Sequence, residues 1–109
     1  IADARPAQRF HAEVPEPRKG LRAGHIPGSV NLPVSLLTQD GQMKPAAQLA
    51  TLFTERGIAL DRPLITSCGS GITAATLALA AELAGADKVA VYDGSWTEWG
   101  SRTDAEVET

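Results

Sequence analysis

The 109-residue sequence has one cysteine, one methionine, one tyrosine, two histidines and two phenylalanines. A single cysteine excludes an internal disulfide and any Cys-rich zinc site, and two separated histidines do not rescue one. No metal or organic cofactor is implied by the sequence. No apolar run approaches the ~20 residues that a membrane span requires. The net charge of -3 gives no broad basic field, which argues against nucleic acid as a partner. The chain opens on IADARP, without methionine and without a basic-then-apolar leader. It reads as a piece of a longer chain, with the cytoplasm as the default compartment. What is present suits one small α/β domain: 43% hydrophobic residues, only 5% aromatic, with alanine filling much of the interior.

The periodicity yields a coarse map. Residues 1–4 read as the end of a strand, and residues 5–24, rich in charge and proline, as a long loop. Residues 29–32 fit a short strand between two prolines. Residues 45–56 form an amphipathic helix with Leu49, Leu52 and Phe53 on one face and Gly57 past its end. Residues 63–67, PLITS, are an apolar strand. Residues 72–84, closed by Gly85, are a helix apolar nearly all round, expected to be buried against a sheet. Residues 88–92, KVAVY, are another strand. Strand, helix, strand with short links predicts a parallel sheet with helices on its faces.

The lone cysteine sits where such a fold puts chemistry. Cys68 directly follows the strand PLITS, and Gly69, Ser70 and Gly71 separate it from the next helix. Ligands of parallel α/β sheets bind at the carboxyl ends of strands. Two glycines permit a tight turn whose amides form an anion-binding nest, reinforced by the helix N-terminus. Such surroundings lower a cysteine from ~8.5 to roughly 3.5–7.5 and would equally stabilise a persulfide anion. The alternative is a small hydrophobe ending a strand.

Three separated stretches carry a resemblance. Cys68-Gly69-Ser70-Gly71-Ile72-Thr73-Ala74 resembles the active loop of the mercaptopyruvate sulfurtransferases of the rhodanese superfamily. Gly24-His25-Ile26-Pro27-Gly28-Ser29-Val30-Asn31 is similar to the superfamily's upstream signature, and Tyr92-Asp93-Gly94-Ser95-Trp96-Thr97-Glu98-Trp99 to its downstream one. Asp3-Ala4-Arg5 and Pro15-Glu16-Pro17-Arg18 resemble the second, catalytic domain of those enzymes. The resemblance implies a rhodanese-like α/β domain with a central parallel sheet of about five strands flanked by helices. It also implies a partner N-terminal rhodanese-like domain, a small-molecule sulfur donor, and a thiol, cyanide or thioredoxin-like acceptor.

Thiosulfate-using members carry basic side chains after the cysteine, which suit a compact dianion. Here Gly69 and Ser70 are neutral, which points to 3-mercaptopyruvate, with thiosulfate:cyanide transfer as the alternative. Arg9 and Arg18 match the family's substrate-binding arginines, whose planar fork suits a carboxylate. Ser70 is a candidate for proton relay or substrate hydrogen bonding. His25 is expected to orient the loop structurally rather than act as a general base. Asp93 reads as a turn or cap residue, and Trp96 and Trp99, three apart, as anchors of the C-terminal end. His11 has no motif behind it.

Two other function classes fit the sequence less well. A cysteine phosphatase needs an arginine six positions after the cysteine, but that position is Ala74 and no basic residue occurs between 68 and 82. A non-catalytic interaction module would commonly have lost the cysteine or its loop, and both are intact.

Overall fold

The computed structural model describes residues 1–17, 19–69 and 72–109, the side chain of Ile72 excepted. Four short strands form one all-parallel sheet in the order β2-β1-β5-β6: β1 Ala2–Asp3, β2 Val30–Asn31, β5 Leu64–Ser67 and β6 Val89–Val91. Ala2 pairs with Val30 on one side and Thr66 on the other, and Leu64 with Val89. The sheet has four strands among the described residues, against the five expected. Two further strands, β3 Thr38–Gln39 and β4 Gln42–Met43, pair only with each other. They close on Asp40 (φ 53°) and Gly41 (φ 78°), the Asp-Gly pair that a tight two-residue hairpin turn favours.

Helices α2 (Ala46–Glu55) and α3 (Ile72–Leu83) pack on each other, and α3 also packs on β5 and β6. Both end in the same way. Gly57 (φ 74°) and Gly85 (φ 112°) supply the left-handed residue, and Ile58 and Ala86 donate back to the carbonyls of Phe53 and Ala81. Leu49, Phe53, Leu64, Leu77, Ala80 and Ala81 join one core with Ala2, Leu32 and Leu37. Burial of α3 is one-sided rather than complete: its outer face leaves Leu79 51% and Leu83 48% exposed. Thr66 donates to the carbonyl of Ala74, so Leu64 and Thr66 face α3 and Ile65 points the other way. On that opposite face a groove of about 610 Å³ is lined by Ile1, Ile65, Val91, Tyr92 and Trp99. No helix among the described residues is long and apolar enough to cross a membrane.

The stretch 5–24 is not all loop. It opens with a four-residue helix, α1 (Ala7–Phe10), too short to leave a periodic signal. After β6 the chain turns into α4 (Ser95–Trp99).

Candidate active site

The strands all point their carboxyl ends to one edge, where Asp3, Asn31, Cys68 and Tyr92 end or follow β1, β2, β5 and β6. Cys68 is 1% exposed and packs into the core cluster. The backbone leaving β5 is held by α4. The Cys68 N–H donates to Ser95 Oγ at 3.1 Å, and the Trp96 N–H donates to the Cys68 carbonyl at 2.8 Å. The Gly69 carbonyl accepts from Thr97 twice, through its N–H at 2.9 Å and its hydroxyl at 2.7 Å. Ser95 Oγ itself donates to the Tyr92 carbonyl at 2.8 Å. Ser95 sits at φ 48°, a conformation that non-glycine residues seldom adopt and that clusters at functional sites.

Helix α1 delivers Arg9 to this turn. Its Nη2 lies 2.8 Å from the position a Cβ on Gly69 would occupy, so the absent side chain of Gly69 makes room for the guanidinium. Glu16 grips the same guanidinium: Nη2 donates to Oε1 at 2.9 Å and Nε to Oε2 at 3.2 Å. This pairing with Glu16 is the main reason the Arg9 pKa is raised above its ordinary value, against a smaller opposing effect of burial. Behind Glu16 stands a second pair. Arg5 Nη1 lies 3.4 Å from Glu16 Oε1 as an ion pair longer than a hydrogen bond, while Arg5 Nε and Nη2 donate to the Asp3 carboxylate. Arg5 also donates to the Gly24 carbonyl at 2.7 Å, and its guanidinium lies 4.7 Å above the Trp96 ring. Both side chains of the Arg5–Asp3 pair are within 2% of full burial. A pocket of about 470 Å³ opens over these groups, lined among others by Arg5, Arg9, Glu16, Gly69, Thr73 and Thr97.

The tertiary structure thus brings Cys68, Gly69, Thr73 and Arg9 to one place. Arg18, Ser70 and Gly71, and the side chain of Ile72, lie outside the described residues. His25 is directed at α1 rather than at the cysteine turn: its Nδ1 is 2.8 Å from the Phe10 carbonyl and its ring stacks on Phe10 at 3.7 Å. His25 also pairs through its backbone with Glu108, which ties the C-terminal end to this turn. Trp96 is buried and donates to the Arg22 carbonyl, whereas Trp99 lines the groove and donates to the Glu106 carbonyl. Asp93 lies exposed in the turn before α4, whose N-cap position is taken by Gly94. Among the described residues, no three His, Cys, Asp or Glu side chains converge as a metal site would require.

Reading the sequence alone overlooked Ser95, Thr97 and Glu16 as site residues. All three lie inside the quoted motifs, but nothing local says which of their neighbours they bond.

Residues 1–102 match the family described as rhodanese-like domain. The chain is 52% identical over 108 residues to a protein named 3-mercaptopyruvate sulfurtransferase from Escherichia coli (strain K12), covering 99% of this chain and 38% of that one. It is 47% identical over 100 residues to thiosulfate sulfurtransferase of Gallus gallus, covering 91% and 34%. The crystal structure of SseA from Escherichia coli, presented as a 3-mercaptopyruvate sulfotransferase with the rhodanese fold, superposes with a TM-score of 0.72 at 47% identity, covering 87% of this chain and 35% of that one. The chain therefore spans only a little over a third of the length of the relatives it matches. With a parallel sheet, a cysteine at the carboxyl end of β5 and a family match across nearly the whole sequence, the chain belongs to the rhodanese-like domain family.

Proposed function

We propose that this domain takes the sulfur of 3-mercaptopyruvate onto Cys68 as a persulfide and passes it to a thiol or cyanide. The carrying observation is the placement of Arg9 against Gly69, one residue from Cys68, at the mouth of the 470 Å³ pocket. A guanidinium there presents a fork to a substrate carboxylate while the donor's sulfur approaches the cysteine. In the first step the Cys68 thiolate attacks the donor sulfur. The S–S bond forms, the C–S bond breaks, and the enolate of pyruvate leaves and takes a proton. In the second step an acceptor thiolate or cyanide attacks the outer sulfur and the Cys68 thiolate departs. The N-terminus of α3, beginning four residues after Cys68, favours the anionic sulfur in both steps.

Within this reading Arg18 is a second carboxylate ligand and Ser70 handles a proton or the substrate carbonyl, both by the resemblance of their motifs. A companion N-terminal rhodanese-like domain belongs to the same reading, supported by the 38% share of the Escherichia coli relative that this chain spans. Thiosulfate as donor is the second reading, favoured by the 47% identity to the Gallus gallus thiosulfate sulfurtransferase. The test is to mix reduced protein with each donor and weigh it intact. A product one sulfur heavier, absent from Cys68→Ser, is expected with 3-mercaptopyruvate. If neither donor loads the protein, the sulfur-transfer reading fails.

A further inference from the structure

The mechanism above uses Arg9 and leaves Glu16 unexplained. Glu16 lies on an irregular stretch, yet its side chain is only 1% exposed, against 26% for Arg9. A carboxylate is rarely buried unless paired, and this one is paired twice. It occupies the Nε–Nη2 edge of Arg9 and stands 3.4 Å from Arg5, whose own charge is taken by Asp3. Asp3, Arg5, Glu16 and Arg9 form one chain of alternating sign with no net charge. The guanidinium beside Gly69 is thus fixed in place but largely neutralised before any donor arrives.

We infer that Glu16 is a positioning and specificity-determining residue: it holds Arg9 over the cysteine turn and cancels its charge, so that the pocket selects a monoanionic sulfur donor over a dianionic one. The inference rests on the sulfur-transfer reading and extends it to donor charge. Because these four groups sum to zero, a donor with one carboxylate leaves one charge uncompensated and thiosulfate leaves two. Removing the Glu16 charge raises the pocket by one unit, which attracts a dianion more strongly than a monoanion.

The experiment compares donors in wild type, Glu16→Gln and Glu16→Asp, reading kcat/KM for thiosulfate divided by kcat/KM for 3-mercaptopyruvate. Glu16→Gln should raise the ratio about tenfold, the effect of one added unit charge at short range in a partly screened pocket. Glu16→Asp keeps the charge and loses reach, so both rates should fall while the ratio stays near the wild-type value. A residue that only held the loop together would lower both donors alike, and an unchanged ratio in Glu16→Gln overturns the inference. A measurement on the wild type decides the matter should Glu16→Gln fail to fold. Sulfate and methanesulfonate have similar shape and differ by one charge, and each can be titrated as protector of Cys68 against iodoacetamide. Methanesulfonate should protect at least as well as sulfate, and tighter protection by sulfate overturns the inference. This comparison needs no turnover. Loss of donor loading would therefore sink the sulfur-transfer reading without deciding the role of Glu16.

Discussion

The backbone N–H of Cys68 donates to Oγ of Ser95, 27 positions further along the chain. That bond couples the cysteine turn to α4, and Ser95 makes it from a backbone at φ 48°. Ser95→Ala removes the acceptor from a buried donor and keeps the unfavourable backbone, so it should cost about 1–3 kcal/mol of stability. Ser95→Gly loses the same bond but accepts the left-handed conformation freely. It should be the more stable of the two by about 1 kcal/mol. Urea unfolding midpoints of the two variants provide the check, and the reverse order would contradict the strained-backbone reading.

Gly69 and Arg9 compete for one space. In Gly69→Ala the new methyl meets Arg9 Nη2 at 2.8 Å, and the long arginine side chain can swing aside. Moving Arg9 breaks its bonds to the buried Glu16 carboxylate, so the variant should lose about 1–3 kcal/mol of stability and also bind the donor more weakly. Arg9→Ala should weaken 3-mercaptopyruvate use by roughly 1.5–3 kcal/mol in kcat/KM, the scale of a charge-assisted hydrogen bond. Arg9→Lys should recover only part, because an ammonium lacks the planar fork. Full activity in Arg9→Ala would remove Arg9 from the donor site.

Two Arg–Asp pairs with the same 2.8 Å contact differ in burial. Asp3→Asn leaves the Arg5 guanidinium charged and sealed from water, and should destabilise the domain by about 3–5 kcal/mol. Asp104→Asn breaks the exposed pair with Arg102, where solvent screens the attraction, and should leave the unfolding midpoint in place. Thermal unfolding of both variants distinguishes a buried network from a surface contact.

Tyr92 is the chain's one tyrosine, so its ionisation can be followed directly by phenolate absorbance. Partial burial, then its 2.5 Å hydrogen bond to Glu98, pushes its pKa up to about 12. The folded state holds the phenol proton more tightly than the unfolded chain, where tyrosine titrates near ~10. The stability this contributes is complete below pH ~10 and is lost as the pH rises toward about 12. Glu98→Gln removes the carboxylate and should bring the midpoint part of the way back toward the ordinary value. A midpoint near ~10 in the folded wild type would show that the Tyr92–Glu98 bond does not persist in solution.

The order β1-β2-α2-β5-α3-β6 was readable from the sequence because it rests on short-range signals. A short run between Pro27 and Pro33 marks β2, an apolar run after Pro63 marks β5, a 3.6-residue period marks α2, and glycine past the last apolar position marks the ends of α2 and α3. Placement of Cys68 at the carboxyl end of a strand follows from the same local grammar. The Asp40-Gly41 turn carries a local signal too, but the two-residue strands beside it are too short to leave a periodic one. What sequence could not decide was which side chains meet across the fold. Glu16 and Glu98 are the same residue type, yet one is sealed between two arginines and the other is exposed beside Tyr92. Residue type and spacing set what each segment can form, whereas burial and charge pairing depend on which distant elements pack together. Only tertiary packing carried Arg9 on α1 to Gly69 after β5, and Ser95 on α4 to the amide of Cys68.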